Sequence, residues 1–228
     1  MFCGCVALVF ISRGELAIGS LLVLLGAFFD FFDGMAARLL KVGSPMGAEL
    51  DSLADVVTFG VVPAYISFQL LRSSTDWNYI PYIAFVIAIF SALRLAKFNV
   101  DDRQTDSFIG LPTPANALFW ISIPLMQWQG LNFESVIDIS SIELFFLKPT
   151  VILISTFVFS ILLVVELPLL SLKFKSLSWK GNQNRFLLLI FSLPLIALFY
   201  FAAIPFILLL YLILSLIENR SASHEIQS

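Results

Sequence analysis

Four aspartates, Asp30, Asp33, Asp51 and Asp55, stand within 26 residues of a chain that is otherwise mostly hydrocarbon. Carboxylate oxygens with no histidine or cysteine beside them suit hard divalent cations such as Mg2+, Mn2+ or Ca2+. Two such ions would balance four carboxylates, and a pair of divalent ions is an arrangement that serves displacement at phosphorus. On insertion scales a single aspartate at the centre of a bilayer costs about 2.5–3.5 kcal/mol, so four of them require compensation.

Helical spacing decides whether these groups meet. Asp30, Asp33, Gly34, Ala37 and Arg38 fall at i, i+3, i+4, i+7 and i+8, and Gly47, Asp51 and Asp55 at i, i+4 and i+8, so each set forms one stripe. The stretch LLKVGSPM between them, with Gly43 and Pro45, reads as a short turn that makes the two helices antiparallel neighbours. In that register Arg38 lies level with Gly47, Asp33 and Gly34 with Asp51, and Asp30 with Asp55. At 1.5 Å per residue the cluster lies roughly 6–12 Å in from the cytoplasmic helix ends. Gly34, Ala37 and Gly47 either admit a ligand to the backbone or let the helices pack closely.

The elements that must carry these residues are membrane helices. Of 228 residues, 59% are hydrophobic and 13% charged, with a mean hydropathy of +0.96, whereas soluble domains carry about 25% charged residues. Apolar runs predict an all-α polytopic bundle of eight transmembrane helices at 1–12, 16–38, 48–71, 79–99, 113–129, 149–171, 186–203 and 205–217. The last two, split by Ala203-Ile204-Pro205, also fit a re-entrant hairpin. Residues 1–217 then form one membrane domain, with a catalytic hairpin at 16–71, an acceptor-side region at 79–129 and C-terminal helices at 186–217. Residues 218–228 read as a disordered cytoplasmic tail, which makes His224, the lone histidine, a poor catalytic candidate.

With the N-terminus inside, ten of the thirteen Lys and Arg fall on the cytoplasmic side, leaving Arg13, Arg72 and Lys148 outside. Residues 1–12 would make only about 18 Å of helix, so the first helix is shallow or the true start lies upstream. Cys3 and Cys5 have no matching His or Cys set and read as packing residues. The acids of the 99–112 loop (Asp101, Asp102, Asp106) and of the outer loop (Glu134, Asp138, Glu143) read as solvated. The net charge of −3 points to no particular partner.

The pattern Asp30-x2-Asp33-Gly34-x2-Ala37-Arg38-x8-Gly47-x3-Asp51-x3-Asp55 resembles, at every fixed position and gap, the signature of the CDP-alcohol phosphatidyltransferases. RLAKFNVDDRQTDSFIGLPTPANA from Arg94 to Ala117, with LKFK and WKGN at 172–182, is similar to the phosphatidylserine synthase branch. The resemblance covers most of 1–117 and 171–186, and is weak over the outer loop and the last two helices. It implies a six-helix family core plus two further helices, and transfer of a phosphatidyl group from CDP-diacylglycerol to L-serine with release of CMP. It also implies divalent metals, Mg2+ or Mn2+ and two per subunit, with Ca2+ as another ion the site would bind. A homodimer in a bacterial inner membrane follows, receiving membrane lipid laterally at a cytoplasm-facing site, with no nucleic acid involved.

Carried onto this chain, the resemblance makes Asp30, Asp33, Asp51 and Asp55 the metal set. Asp33, Gly34, Ala37, Arg38 and Gly47 would lie near the CDP group, and Asp55 would be the general base. Serine's carboxylate needs a cation: Arg94, which can grip it in bidentate fashion, and Lys97 stand one turn apart, with Asn99 following. Lys97 also fits positive-inside anchoring. Pro112 and Pro114 suit a first helical turn, which sets Thr113 and Asn116 at a pocket rim, where Asn116 either bonds substrate or caps and packs. Relatives carry more chain before Met1, which adds to the upstream-start reading. The open alternatives are a phosphorylated acceptor such as glycerol phosphate or inositol phosphate, and a divalent-cation transporter. A phosphorylated acceptor asks for more basic residues at the pocket, and a transporter for acids spread across the membrane depth.

Overall fold

The computed structural model describes residues 1–40, 44–100, 108–133, 137–170, 178–179 and 182–227; the side chains of Arg38, Phe108, Ile109 and 220–227 also lie outside the described set. The protein is an integral membrane protein built from helices. Each of the eight expected segments is a helix, but they differ in how they meet the membrane. Among the described residues four helical stretches are long and apolar enough to cross: Leu16–Ala37, Pro45–Ser74, Ile80–Val100 and Gln183–Asn219. A fifth is the pair α7 (Ser140–Phe146) and α8 (Pro149–Val164), bent by 67°.

α1 (Phe2–Ser12) and α2 (Leu16–Leu40) form a tight hairpin, turned at Gly14, whose φ of +87° lies in the left-handed region that glycine adopts freely. A Cβ on Gly19 would sit 2.4 Å from Ile11 Cγ1, and one on Gly4 would sit 2.9 Å from Thr58 Cα. Close approach by small residues is how apolar helices gain contact in lipid, where burial from water offers no drive.

The second long rod starts at α3 (Pro45–Asp55). Ser44 caps it, its Oγ accepting the Gly47 N–H at 3.0 Å, and Pro45 fills the first helical position, where its missing N–H costs nothing. Pro45 therefore opens a helix and is not part of the turn; Gly43 lies outside the described residues. Directly after Asp55 the backbone widens into a π-helix over Val56–Val61, then returns to α geometry in α4 (Val62–Ser74). Pro63 cannot donate to the Phe59 carbonyl, so the regular ladder is already broken there. Gly60 faces Ser91, with only 3.0 Å between an added Cβ and the Ser91 Cβ.

A 3-10 stretch, Ile80–Phe85, leads into α5 (Val86–Val100), which packs against α8 and the π segment. α6 (Thr113–Asn132) carries Asn116, Gln127 and Gln129 and is not apolar enough to count as a span. The reason is its place: twelve of its twenty residues are buried, so it faces protein where the outer helices face lipid. Phe28, Phe29, Leu189, Phe191 and Leu209, by contrast, are exposed on α2, α9 and α10, as a lipid-facing surface requires.

The helix expected at 149–171 stops at Val164. Pro168 disfavours helix at the residue before it, and the chain continues extended. Pro168–Leu169 (β2) pairs antiparallel with Phe108–Ile109 (β1), Phe108 opposite Leu169. Gly110, at φ +77°, follows β1 with carbonyls so near that a Cβ would lie 2.8 Å from the Leu163 oxygen.

α9 (Gln183–Phe199) and α10 (Ala203–Gln227) are joined by a 3-10 turn at Tyr200–Ala202, where Tyr200 has φ +50°. Asn184 donates to Glu218 at 3.0 Å and Arg185 lies 3.9 Å from it, so the two helices fold back as an antiparallel hairpin. Gln129 of α6 closes the turn, donating to the Phe199 carbonyl at 3.1 Å and accepting the Phe201 N–H at 3.0 Å. α10 also runs on as helix to Gln227, through the stretch expected to be a disordered tail.

Candidate active site

The two stripes meet. Asp30, Asp33 and Asp51 each present a carboxylate oxygen within 4.8 Å of the others. With Asp55 they line a cavity of about 210 Å3 whose other walls are Met1, Phe2, Cys3, Gly26, Phe29, Ala54, Thr58 and Phe59. Asp55 lies outside the three-carboxylate group, one helical turn further along, at the junction of α3 with the π segment. Single-turn π segments recur at functional positions because they redirect side chains without ending the helix. Three carboxylates this close repel one another unless a cation intervenes, and an all-oxygen donor set of this kind fits a hard divalent ion.

Gly34 lies beside Asp33 on α2, Ala37 is exposed one turn further on, and Gly47 offers its N–H to Ser44 Oγ. The side chain of Arg38 falls outside the described residues, as do Lys41, Asp101, Asp102, Arg103, Asp106, Glu134 and the LKFK stretch. Just before α7 Asp138 has a local partner: it accepts the Ser140 N–H at 2.9 Å, and this backbone bond holds its carboxyl below the usual range.

The four residues expected to hold serine part company. Arg94 is 7% exposed, its Nε has no hydrogen-bond partner, and among the described residues no carboxylate comes within ion-pair distance. It interacts electrostatically with Asp55 and with Tyr211 of α10, and its guanidinium lies 6.0 Å from the Phe98 ring centre. A buried cation without a counter-ion is costly, which makes this a place for an anion. Lys97, by contrast, is exposed and paired with Glu166 at 3.2 Å. Asn99 bonds Ser52 and Glu49 on α3. Asn116 is fully buried and does not line the aspartate cavity, and both atoms of its amide are unpartnered among the described residues. Pro112 precedes α6 and Pro114 sits in its first turn.

Sequence reading missed Gly26, Thr58, Glu49 and Ser52. Gly26 continues the Asp30 stripe one turn back and Thr58 follows Asp55 by three, so extending the same periodicity finds both. Glu49 and Ser52 lie off the stripe, and only the position of α5 reveals their role.

The family model for CDP-alcohol phosphatidyltransferase matches residues 1–164. The chain belongs to the CDP-alcohol phosphatidyltransferase family. The CDP-diacylglycerol--serine O-phosphatidyltransferase of Helicobacter pylori is 30% identical to this family member over 222 residues, 96% of this chain and 86% of that protein. The enzyme of that name from Bacillus subtilis is 40% identical over 116 residues, covering 49% of this chain and 63% of its own. The one from Methanocaldococcus jannaschii is 43% identical over 100 residues, 44% of this chain and 47% of its own. The matched stretch thus spans just under two thirds of the Bacillus protein and about half of the archaeal one. Within this chain the matched family region contains all four aspartates and Arg94, and ends at the last residue of α8.

Proposed function

We propose that this chain transfers the phosphatidyl group of CDP-diacylglycerol to the hydroxyl of L-serine, giving phosphatidylserine and CMP. The observation that carries the choice of serine is Arg94: a nine-tenths-buried guanidinium, unpaired among the described residues, which senses the charge of Asp55. An acceptor whose carboxylate rests on Arg94 brings its hydroxyl towards the aspartates. Among the described residues Lys97 is already engaged by Glu166, which leaves Arg94 as the buried cation for the acceptor's carboxylate.

Asp30, Asp33 and Asp51, with Asp55, would hold divalent metal, Mg2+ or Mn2+ and two ions per subunit. When bound, such ions neutralise charge on the diphosphate. Asp33, Gly34, Ala37, Arg38 and Gly47 bind the CDP group. Asp55 takes the hydroxyl proton as the serine oxygen bonds to the phosphorus that carries diacylglycerol and the bond to the CMP oxygen breaks. The hairpin 16–71 supplies the donor half of the site, and 79–129 the acceptor half. The site opens to the cytoplasmic face of a bacterial inner membrane, and the enzyme works as a homodimer.

Purified protein is given CDP-diacylglycerol, Mg2+ or Mn2+, and a panel of serine, glycerol phosphate, inositol phosphate and water, with CMP measured. Release that requires serine is the expected result; release with another acceptor alone overturns the choice of serine.

A further inference from the structure

The far end of the rod that starts at α3 carries a second polar cavity. From Asp51 to Arg72 the rod covers about 30 Å at 1.5 Å per residue, the thickness of a bilayer's hydrocarbon core, so this cavity opens at the membrane face opposite the aspartates. It encloses about 530 Å3 between the end of one span and the start of the next, with Phe68, Arg72, Asp76, Trp77, Asn78 and Tyr82 among its walls. Sites for small ligands run to about 300–1,000 Å3. None of its lining residues belongs to the aspartate cavity.

Arg72 and Asp76 have the i, i+4 spacing that pairs charges on a helix, yet among the described residues neither forms an ion pair. The backbone explains why. α4 stops at Ser74, Thr75 is extended at φ −139° and ψ 144°, and its Oγ1 accepts the Trp77 N–H at 3.3 Å, so the chain has left the helix before Asp76. One positive and one negative group therefore line the same cavity without cancelling each other. Arg72, in the last turn of α4, also suits the negative end of the helix dipole. Asp76 has the wrong sign for that end, so helix stability does not account for it.

The aromatic walls narrow the ligand further. Trp77 is 70% and Tyr82 60% exposed, and the Tyr82 ring is held edge-on to Phe68 at 5.2 Å. Such rings sit at the level of lipid headgroups, and their faces attract an ammonium group. A purely anionic headgroup would meet Asp76, and a quaternary ammonium has no N–H to give it. A phosphodiester joined to a primary ammonium satisfies both charges, the first on Arg72 and the second on Asp76.

We propose that this cavity binds the headgroup of a zwitterionic phospholipid with a primary ammonium, of the phosphoethanolamine type, at the membrane face opposite the aspartates. The site does not depend on which acceptor the aspartate side uses.

The test incubates the full chain in detergent with an equimolar mixture of three lipids that share the same acyl chains and carry phosphoethanolamine, phosphocholine or phosphoglycerol headgroups. Native mass spectrometry reads the lipid retained by the wild type, Arg72→Gln and Asp76→Asn. Both side chains are exposed, so the substitutions keep the fold. The wild type is expected to prefer the ethanolamine lipid by ~5–10-fold, in keeping with one charge-assisted bond at an exposed site. Asp76→Asn brings the three lipids level, and Arg72→Gln lowers retention of all three. Equal retention of the three lipids by the wild type overturns the proposal, as does a preference that survives Asp76→Asn or retention unmoved by Arg72→Gln. Glycerophosphoethanolamine, the same headgroup without chains, is titrated in parallel and is expected to bind more weakly than the lipid; equal binding overturns the membrane as its source.

Discussion

Asn99 donates through Nδ2 to Ser52 Oγ at 3.0 Å, and so ties the end of the helix that carries Arg94 to the helix that carries Asp51 and Asp55. The same amide reaches Glu49 at 3.4 and 3.5 Å. The two helices are thereby braced against each other by exposed side chains, far apart in sequence, none of which lines the aspartate cavity.

Asn99→Ala is expected to lower kcat/KM about 5–10-fold by loosening that brace, in keeping with about 1 kcal/mol for one net hydrogen bond. Ser52→Ala does the same, and the double variant is no worse than either single one. Steady-state kinetics on the four-protein cycle checks the coupling; strict additivity would mean that the pair does not act together.

Asp55→Asn is expected to leave CDP-diacylglycerol binding nearly intact and to cut turnover by about 10^2–10^4-fold, the range of a general base. Asp55 stands apart from the group of Asp30, Asp33 and Asp51, and those three carboxylates keep their charge when it is neutralised. Binding is read by competition with a labelled CDP-lipid and turnover by CMP release. Near-normal turnover removes Asp55 from the base role.

Chelation is expected to abolish CMP release. Mg2+ or Mn2+ restores it and monovalent salt does not, because Asp30, Asp33 and Asp51 crowd three negative groups within 4.8 Å. Asp51→Asn shifts the metal concentration needed for half-activity upward, which a titration at fixed substrate measures. Full activity in chelator would show that the cluster works without an ion.

Gln129→Leu is expected to destabilise the protein without touching the site. The Gln129 amide occupies both the Phe199 carbonyl and the Phe201 N–H at the break between α9 and α10, and each group left unpaired costs about 1–3 kcal/mol. Thermal unfolding in detergent would show a Tm lowered by several degrees, with KM for both substrates unchanged in the protein that remains folded.

Much of the site was legible because helical periodicity is a local rule. The stripes at Asp30/Asp33 and Asp51/Asp55 need only 3.6 residues per turn and an antiparallel neighbour, and the cavity bears them out. The depth of Arg94 in an apolar run marked it as unlike Lys97, and the structure separates the two in that sense. What periodicity does not carry is where a helix stops for the sake of a distant partner. The segment 165–170 is apolar enough to read as helix, yet it is extended because β1 on one side and the Tyr211–Ser215–Asn219 face on the other supply its backbone bonds. The π-helix after Asp55 is likewise invisible to a pattern of apolar residues, and α6 kept its polar residues because burial among other helices relieved it of facing lipid. The Asn99 brace depends on residues 47 and 50 positions apart, beyond any local rule.

The hydrogen bonds that join Tyr211, Ser215 and Asn219 of α10 to the backbone of Pro168 and Leu170 also set an order of assembly. Leu170 leaves the ribosome 45 residues ahead of Ser215, the side chain that accepts its N–H. Until α9 and α10 have been made and inserted, that strand has polar backbone buried on one side and nothing to satisfy it, a state apolar surroundings penalise. The hairpin 16–71 can therefore be in the membrane, with all four aspartates in place, before α9 and α10 are made. On the function proposed above, transfer would begin only when the last hairpin docks, and the four aspartates would stand complete and idle through the final stage of synthesis.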